Sequence, residues 1–348
     1  MPIHWLSLRP TGIPLSVRLD PRLPFMVLVL LGVTLLTLVL TVAQGDYPIS
    51  PLDVLQTILG IPTGNPDHAF VVNTLRLPRA LVAWTVGIAL AVSGAILQGL
   101  TRNPLASPGI LGINAGASLA AVFLIVVFRS VPLSLLPLAA FGGGMAVATG
   151  IYLLSWRQGN APVRFILVGI ALGAIVGSLT TVLITFGNIN SVSAALVWLT
   201  GSVYGRSWAH LGALMPWIVI FLPLTMLLAR DLNGFNLGDD VARGLGIPLE
   251  WRRGILLLSS ASLAGAAVAT AGTIGFVGLI TPHLARRLVG SVHEGLIPVS
   301  ALLGGLLVLL ADWVGRMAFA PIELPCGLIT AILGAPYFLY LLHHHQQS

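Results

Sequence analysis

GILLLSSASLAGAAVATAGTIGFVGLITPHLA, residues 254–285, contains no Asp, Glu, Lys or Arg. As one straight helix it would be about 48 Å long, against a bilayer hydrocarbon core of about 30 Å. A run this apolar belongs in lipid, and a run this long must break there. Gly272, Gly275 and Gly278, followed by Pro282, are where the chain can do so, giving one span over 254–272 and another over 275–289.

The same texture extends in both directions. Apolar runs bounded by charge, proline or glycine predict earlier spans over 24–44, 78–100, 108–128, 133–156, 162–186 and 208–229, and later ones over 296–311 and 325–342. The total is about ten. Of 348 residues, 56% are apolar and 8% charged, where a soluble domain carries about a quarter charged side chains. The expectation is therefore an all-α integral membrane protein with one transmembrane domain over 24–342, an amino-terminal segment over 1–23 and a tail over 343–348, both on the cytoplasmic side. Phe25–Ala43 follows Arg9, Arg18 and Arg22 as a signal peptide would. Its apolar run exceeds a typical signal core, however, and Val42-Ala43-Gln44-Gly45 is a poor cleavage site, so it reads as the first span.

All 17 basic residues are arginine. Without a lysine the chain cannot hold a standard Walker A phosphate site, so ATP-driven work must come from a partner. The arginines are scattered singly between apolar runs, which argues against a nucleic-acid face. With the amino terminus inside, twelve fall in the cytoplasm, namely Arg9, Arg18, Arg22, Arg102, Arg157, Arg164, Arg230, Arg243, Arg252, Arg253, Arg286 and Arg287, and five outside, namely Arg76, Arg79, Arg129, Arg206 and Arg316. That asymmetry is what the positive-inside rule expects. Cys326 is the only cysteine and reads as a small apolar residue near a helix start. His283 after Pro282 reads as a polar helix-end residue, no catalytic or metal-ligating cluster stands out, and the run His343–His345 is assigned no function.

Three features bear on mechanism. The second span leads through Asn103-Pro104 and Ser107-Pro108-Gly109 into a short span, and the seventh leads through Gly272–Gly278 into another. Two halves of similar plan with interrupted helices suit a transporter. DLNGFNLGDDVARGLGIPLEWRR, residues 231–253, carries seven charges in a chain that has few. Two short helical pieces, around 238–245 and 248–253 and separated by Gly246, would form a knob able to enter a groove on another protein. Composition leaves open the alternative of a solvated loop that only sets topology. The fifth span carries Gly169, Gly173 and Gly177 four apart, a small-residue stripe whose default meaning is close helix packing. Asp312 precedes Arg316 by one turn and reads as an i,i+4 ion pair.

RLPRALVAWTVGIALAVSGAILQGLTRNPLASPGILGINAG (76–116), LGDDVARGLGIP (237–248), GTIGFVGLITPHLARRLVG (272–290) and ELPCGLITAILGAPYFLYLL (323–342) together resemble the FecCD family. Its members are permease subunits of type II ATP-binding-cassette importers for iron-siderophores, haem and vitamin B12. The resemblance implies a type II permease fold in a bacterial inner membrane. It also implies a second permease subunit, identical or paralogous, two ATP-binding subunits holding ATP and Mg, and a periplasmic or lipid-anchored binding protein.

Carried onto matching positions, the family implies that Leu237, Gly238, Asp239, Asp240, Ala242, Arg243, Leu245 and Gly246 couple to the ATPase. Arg76, Arg79 and Arg316 would receive carboxylates of the binding protein, a pairing suited to the guanidinium fork. The residues alone favour interfacial anchors near helix ends, snorkelling out of the lipid; the resemblance favours docking. Ser178, Thr181 and Thr185 would face the translocation path. NPLASPGILGINAGAS inclines the cargo toward ferric citrate and other siderophores, with haem or cobalamin as the alternative. An ion-coupled carrier working alone is the rival of another class. It predicts buried charge in the path and no need for residues 231–253.

Overall fold

The computed structural model describes residues 6–8, 17–19, 22–128, 135–155 and 161–345. Arg9, Arg129 and Arg157 of the arginine count, most of the segment 1–23 and the end of the tail lie outside them. Leu6–Leu8 (β1) and Val17–Leu19 (β2) pair antiparallel, with Leu6 opposite Leu19. That small ribbon is the one departure among the described residues from an otherwise helical chain.

Helix α1 (Arg22–Ala43) is the first span, and Ser50 caps the short α2 (Pro51–Ile58) by accepting from the Leu52 amide at 3.3 Å. Asp67–Phe70 (α3), a π-helical stretch Val71–Arg76 and α4 (Leu77–Thr101) form one continuous rod of 35 residues. It extends eleven residues further back than the 78–100 expected, because going back from 78 nothing before Pro66 breaks the helix. There follow α5 (Ile113–Val127), α6 (Leu135–Ser155), α7 (Ala161–Phe186) and α8 (Ile189–Leu199). Next come α9 (Trp208–Leu227), α10 (Ala229–Asn236), α11 (Asp239–Gly244) and α12 (Leu249–Ala271). The last three are α13 (Val277–Val289), α14 (His293–Met317) and α15 (Cys326–His345).

Among the described residues, seven helices are long and apolar enough to span by themselves. Adding the shorter α5, α13 and α15 restores the ten expected runs. The eleven-residue α8 was not anticipated, being too short for a spanning pattern. Asn188 starts it by accepting from the Asn190 amide at 3.0 Å.

Two helices form the centre. The most apolar window of the rod ending in α4 is 89% buried by protein, and that of α12 is 83% buried. With no hydrophobic drive between helices in lipid, such packing rests on close backbone approach and interhelical hydrogen bonds. Both are present. A Cβ on Gly87 would run into the Gly304 carbonyl of α14, and one on Gly94 into the Gly278 carbonyl of α13. Between α4 and α12, Ser93 Oγ lies 2.7 Å from Ser260 Oγ and donates to Ser260 O at 2.9 Å, and Ser260 Oγ approaches Ser93 O at 3.1 Å.

The expected break in 254–285 is real. Helix α12 stops at Gly272, whose φ of +72° suits glycine, and the chain continues without regular structure until Phe276, itself left-handed at φ +65°. After α4 the chain likewise turns at Arg102, φ +52°, and stays irregular to Gly112. Pro108 of the first irregular stretch packs against Gly278 at the start of α13, just after the second.

Charge sorts to two ends. Arg79 and Arg102 bracket α4, about 35 Å apart along its axis. Helix α1 runs from Leu23, beside Gly295 near one end, to Thr41, whose carbonyl accepts from Arg316 at the other. Helix α15 runs the opposite way, from Cys326 beside Gly201 to Tyr337 beside His283. Both described termini therefore lie at the Arg102 end, with α10 and α11.

Candidate coupling site and docking cluster

At the Arg102 end, α10, α11 and the first turn of α12 form the charged knob. Gly238 (φ +104°) and Gly246 (φ +80°) supply its two turns. Asp239 and Asp240 occupy the first turn of α11 and Arg243 the last, each where the helix dipole favours it. Pro248–Arg253 is not the separate piece expected: with no breaker before Gly272, Leu249 simply opens the long α12, and α10 precedes α11 as an additional helix.

Inward and outward residues of the knob have different jobs. Ala242 and Phe235 are buried, and Asp239 receives Arg253 at 2.6 Å and faces Arg102 at 3.7 Å. Asp231 pairs with Arg252 at 3.1 Å, and the Arg253 guanidinium lies 5.4 Å from the Phe235 ring centre. The knob is thereby braced to α4 and to α12. Leu237, Val241 and Leu245, four residues apart, are 63%, 50% and 64% exposed, and the Asp240 side chain is wholly so. These exposed apolar side chains are rimmed by the charges of Asp240 and Arg243. Trp251, also exposed, lies toward Tyr152 of α6. Of the residues singled out from sequence, Leu237, Asp240, Arg243 and Leu245 face outward, Asp239 and Ala242 face inward, and Gly238 and Gly246 turn the chain.

At the opposite end Arg76, Arg79 and Arg316 do come together, but on partners in their own chain. Arg79 holds Asp312 through both carboxylate oxygens, at 2.8 and 3.1 Å, and Glu323 at 2.9 Å, with its guanidinium 5.4 Å from the Tyr204 ring centre. Arg316 donates to Thr41 O at 2.9 Å and lies 3.5 Å from Asp312. Arg76 donates to Val42 O at 2.9 Å and Tyr47 O at 2.7 Å. The i,i+4 pair read from sequence exists, yet Arg79, 233 residues away, is the nearer partner of Asp312. Of the two carboxylates on Arg79, Glu323, about one-third exposed, is the more open to water.

The glycine stripe of α7 divides. Gly169 and Gly173 pack on Leu111 and Gly112, whereas a Cβ on Gly177 would meet nothing within 4 Å. Ser178, Thr181 and Thr185 stand on an exposed part of α7, each donating to the carbonyl four residues back at 2.8–3.1 Å. Among the described residues no group of three His, Cys, Asp or Glu side chains could hold a metal ion.

Sequence reasoning missed two polar clusters near the Arg102 end. Gln98 of α4 accepts from Arg286 and donates to Gly278 O at 3.2 Å. Asn233 of α10 bonds to His293 and Glu294 at the start of α14. Their only signal is polarity within or beside long apolar runs.

A bundle of broken, glycine-packed spans with a braced knob at one end and an arginine–carboxylate cluster at the other defines a multi-pass membrane transport protein. Residues 33–344 match the FecCD transport family, and the chain belongs to it. It is 46% identical over 327 residues to the "Probable siderophore transport system permease protein YfhA" of Bacillus subtilis, covering 92% of this chain and 95% of that one. It is 41% identical over 340 residues to the hemin transport system permease protein HmuU of Yersinia pestis, covering 95% and 98%. A solved structure of a metal-chelate type ABC transporter in an inward-facing conformation superposes with a TM-score of 0.83 at 30% identity, over 92% of this chain and 99% of that chain.

Proposed function

We propose that this chain is the membrane-spanning permease subunit of an ATP-driven importer that moves a ferric siderophore across a bacterial inner membrane. It works beside a second permease subunit and two ATP-binding subunits. The observation that carries the reading is the exposed stripe Leu237, Val241 and Leu245 on a knob whose hidden side is ion-paired to both central helices. Movement imposed on that stripe by a nucleotide-hydrolysing partner would pass through Asp239 into α4 and α12 as a rigid displacement, a two-state element biased by ATP. The Arg102 end, holding both described termini, is then cytoplasmic.

The Arg79 end faces the periplasm and receives the binding protein. Because its arginines are engaged by Asp312, Glu323 and backbone carbonyls, docking there proceeds by exchange: an incoming carboxylate displaces Glu323 from Arg79. Ser178, Thr181 and Thr185 line the path, which needs no fixed charge to pass a large chelate. The siderophore and hemin permeases to which the chain is similar support iron chelates as cargo, with hemin as the alternative.

Uptake by proteoliposomes, with and without the ATP-binding subunits, tests the reading. ATP-dependent uptake of a ferric siderophore only in their presence is expected; uptake that persists without them, driven by a proton or sodium gradient, overturns it. Tryptophan quenching of the cognate binding protein by ferric siderophores and by hemin identifies the cargo.

A further inference from the structure

Helix α14 begins without a cap from its own neighbourhood: Val292 precedes it and offers no side-chain acceptor. The missing acceptor comes from 60 residues upstream. Asn233 Oδ1 of α10 accepts from the His293 amide at 2.9 Å and lies 2.8 Å from His293 Nδ1. The other side of the same amide donates from Nδ2 to Glu294 Oε2 at 2.6 Å. A carboxylate on one side fixes the amide's orientation, so the oxygen faces the two His293 nitrogens and Nδ1 carries the proton. Arg230, three residues before Asn233, adds a longer contact to Glu294 at 3.7 Å.

His293 is 2% exposed, and a Cβ on Gly99 of α4 would lie 2.8 Å from its Nε2. The His293 side of the clasp therefore sits in the packed interior between α10, α4 and α14, with Glu294, about one-third exposed, at its edge, and one amide satisfies three groups. Helix α10 in turn reaches α11 through two successive tight turns, Leu237 N to Gly234 O and Gly238 N to Phe235 O, both at 3.1 Å. The far end of α14 carries Asp312 and Arg316, held to Arg79 and Thr41.

We propose that Asn233 is a positioning residue that locks the knob to α14, making α14 the rod by which movement at α11 reaches the Arg79–Asp312–Glu323 cluster. This rests on the importer reading above. It adds a route distinct from the Asp239 ion pairs, which act on α4 and α12. An uncapped, unclasped α14 would still pack on α4 through Gly87 and Gly304, but would no longer be obliged to follow α10.

The test uses the full complex in nanodiscs with spin labels on Met317→Cys and Leu135→Cys, both partly exposed at the Arg79 end, read by pulsed electron resonance with and without ATP. The wild-type complex is expected to change this distance on ATP addition and to import; if it does neither, the importer reading itself fails. In Asn233→Ala, co-purifying with its ATP-binding subunits, the distance change is expected to vanish and uptake to fall at least about fivefold, the scale of an allosteric coupling. If Asn233→Ala does not assemble, Asn233→Leu, close in size but with neither acceptor nor donor, opens the same clasp. A variant whose distance change and uptake equal the wild type's overturns the proposal.

Discussion

Asp312 accepts from Arg79 through both oxygens and lies within 3.5 Å of Arg316, while only 5% of its side chain is exposed. Removing one partner from such a site leaves charges buried without compensation, which costs about 3–5 kcal/mol. Asp312→Ala is therefore expected to lower the thermal stability of the purified permease markedly, as followed by scanning fluorimetry in detergent. Glu323→Gln should disturb stability far less, because its partner keeps Asp312. If exchange at Glu323 is how the binding protein docks, Glu323→Gln should also alter that protein's dissociation constant, measured by surface plasmon resonance. Unchanged binding would leave the Arg79 cluster a brace and nothing more.

At the level of elements, helix packing by glycine separates positions that look alike on paper. Gly94 faces the Gly278 backbone and Gly177 faces open space. Gly94→Ala should cost about 1–3 kcal/mol through overpacking, whereas Gly177→Ala should stay within about 0.5 kcal/mol of wild type; chemical denaturation of both variants checks the contrast. On the same helix as Gly177, Thr181→Trp should cut uptake with little loss of expression or stability if that face lines the path, and should leave uptake intact if it faces lipid.

The spans themselves were legible because lipid imposes length and polarity on every helix that crosses it. The break after Gly272 was legible because the run was too long to be otherwise. Three things were not. The extension of α14 from 311 to Met317 was hidden because Asp312 and Arg316 look like residues that end an apolar span, and Arg79, brought alongside by the fold, pairs the buried Asp312 within the helix. Helix α8 was hidden because eleven residues fall short of a span. The Asn233 clasp was hidden because an asparagine in a polar stretch gives no local sign of a partner 60 residues away.

For the molecule as a whole, the account places all energy input at one small surface. The chain has no lysine and so no standard phosphate loop, and its exposed apolar stripe at the Arg102 end is backed by ion pairs that make the knob stiff. The partner's grip should accordingly depend on side chains that touch nothing in this chain. The most direct measurement is site-specific crosslinking from Leu245→Cys, which is 64% exposed, in a background whose one native thiol, Cys326, is 1% exposed. A maleimide photocrosslinker at this position should capture an ATP-binding subunit in membranes, with yield changing on addition of ATP. Accessibility of Leu245→Cys to an impermeant thiol reagent from the periplasmic side, with no ATP-binding subunit captured, would contradict the account.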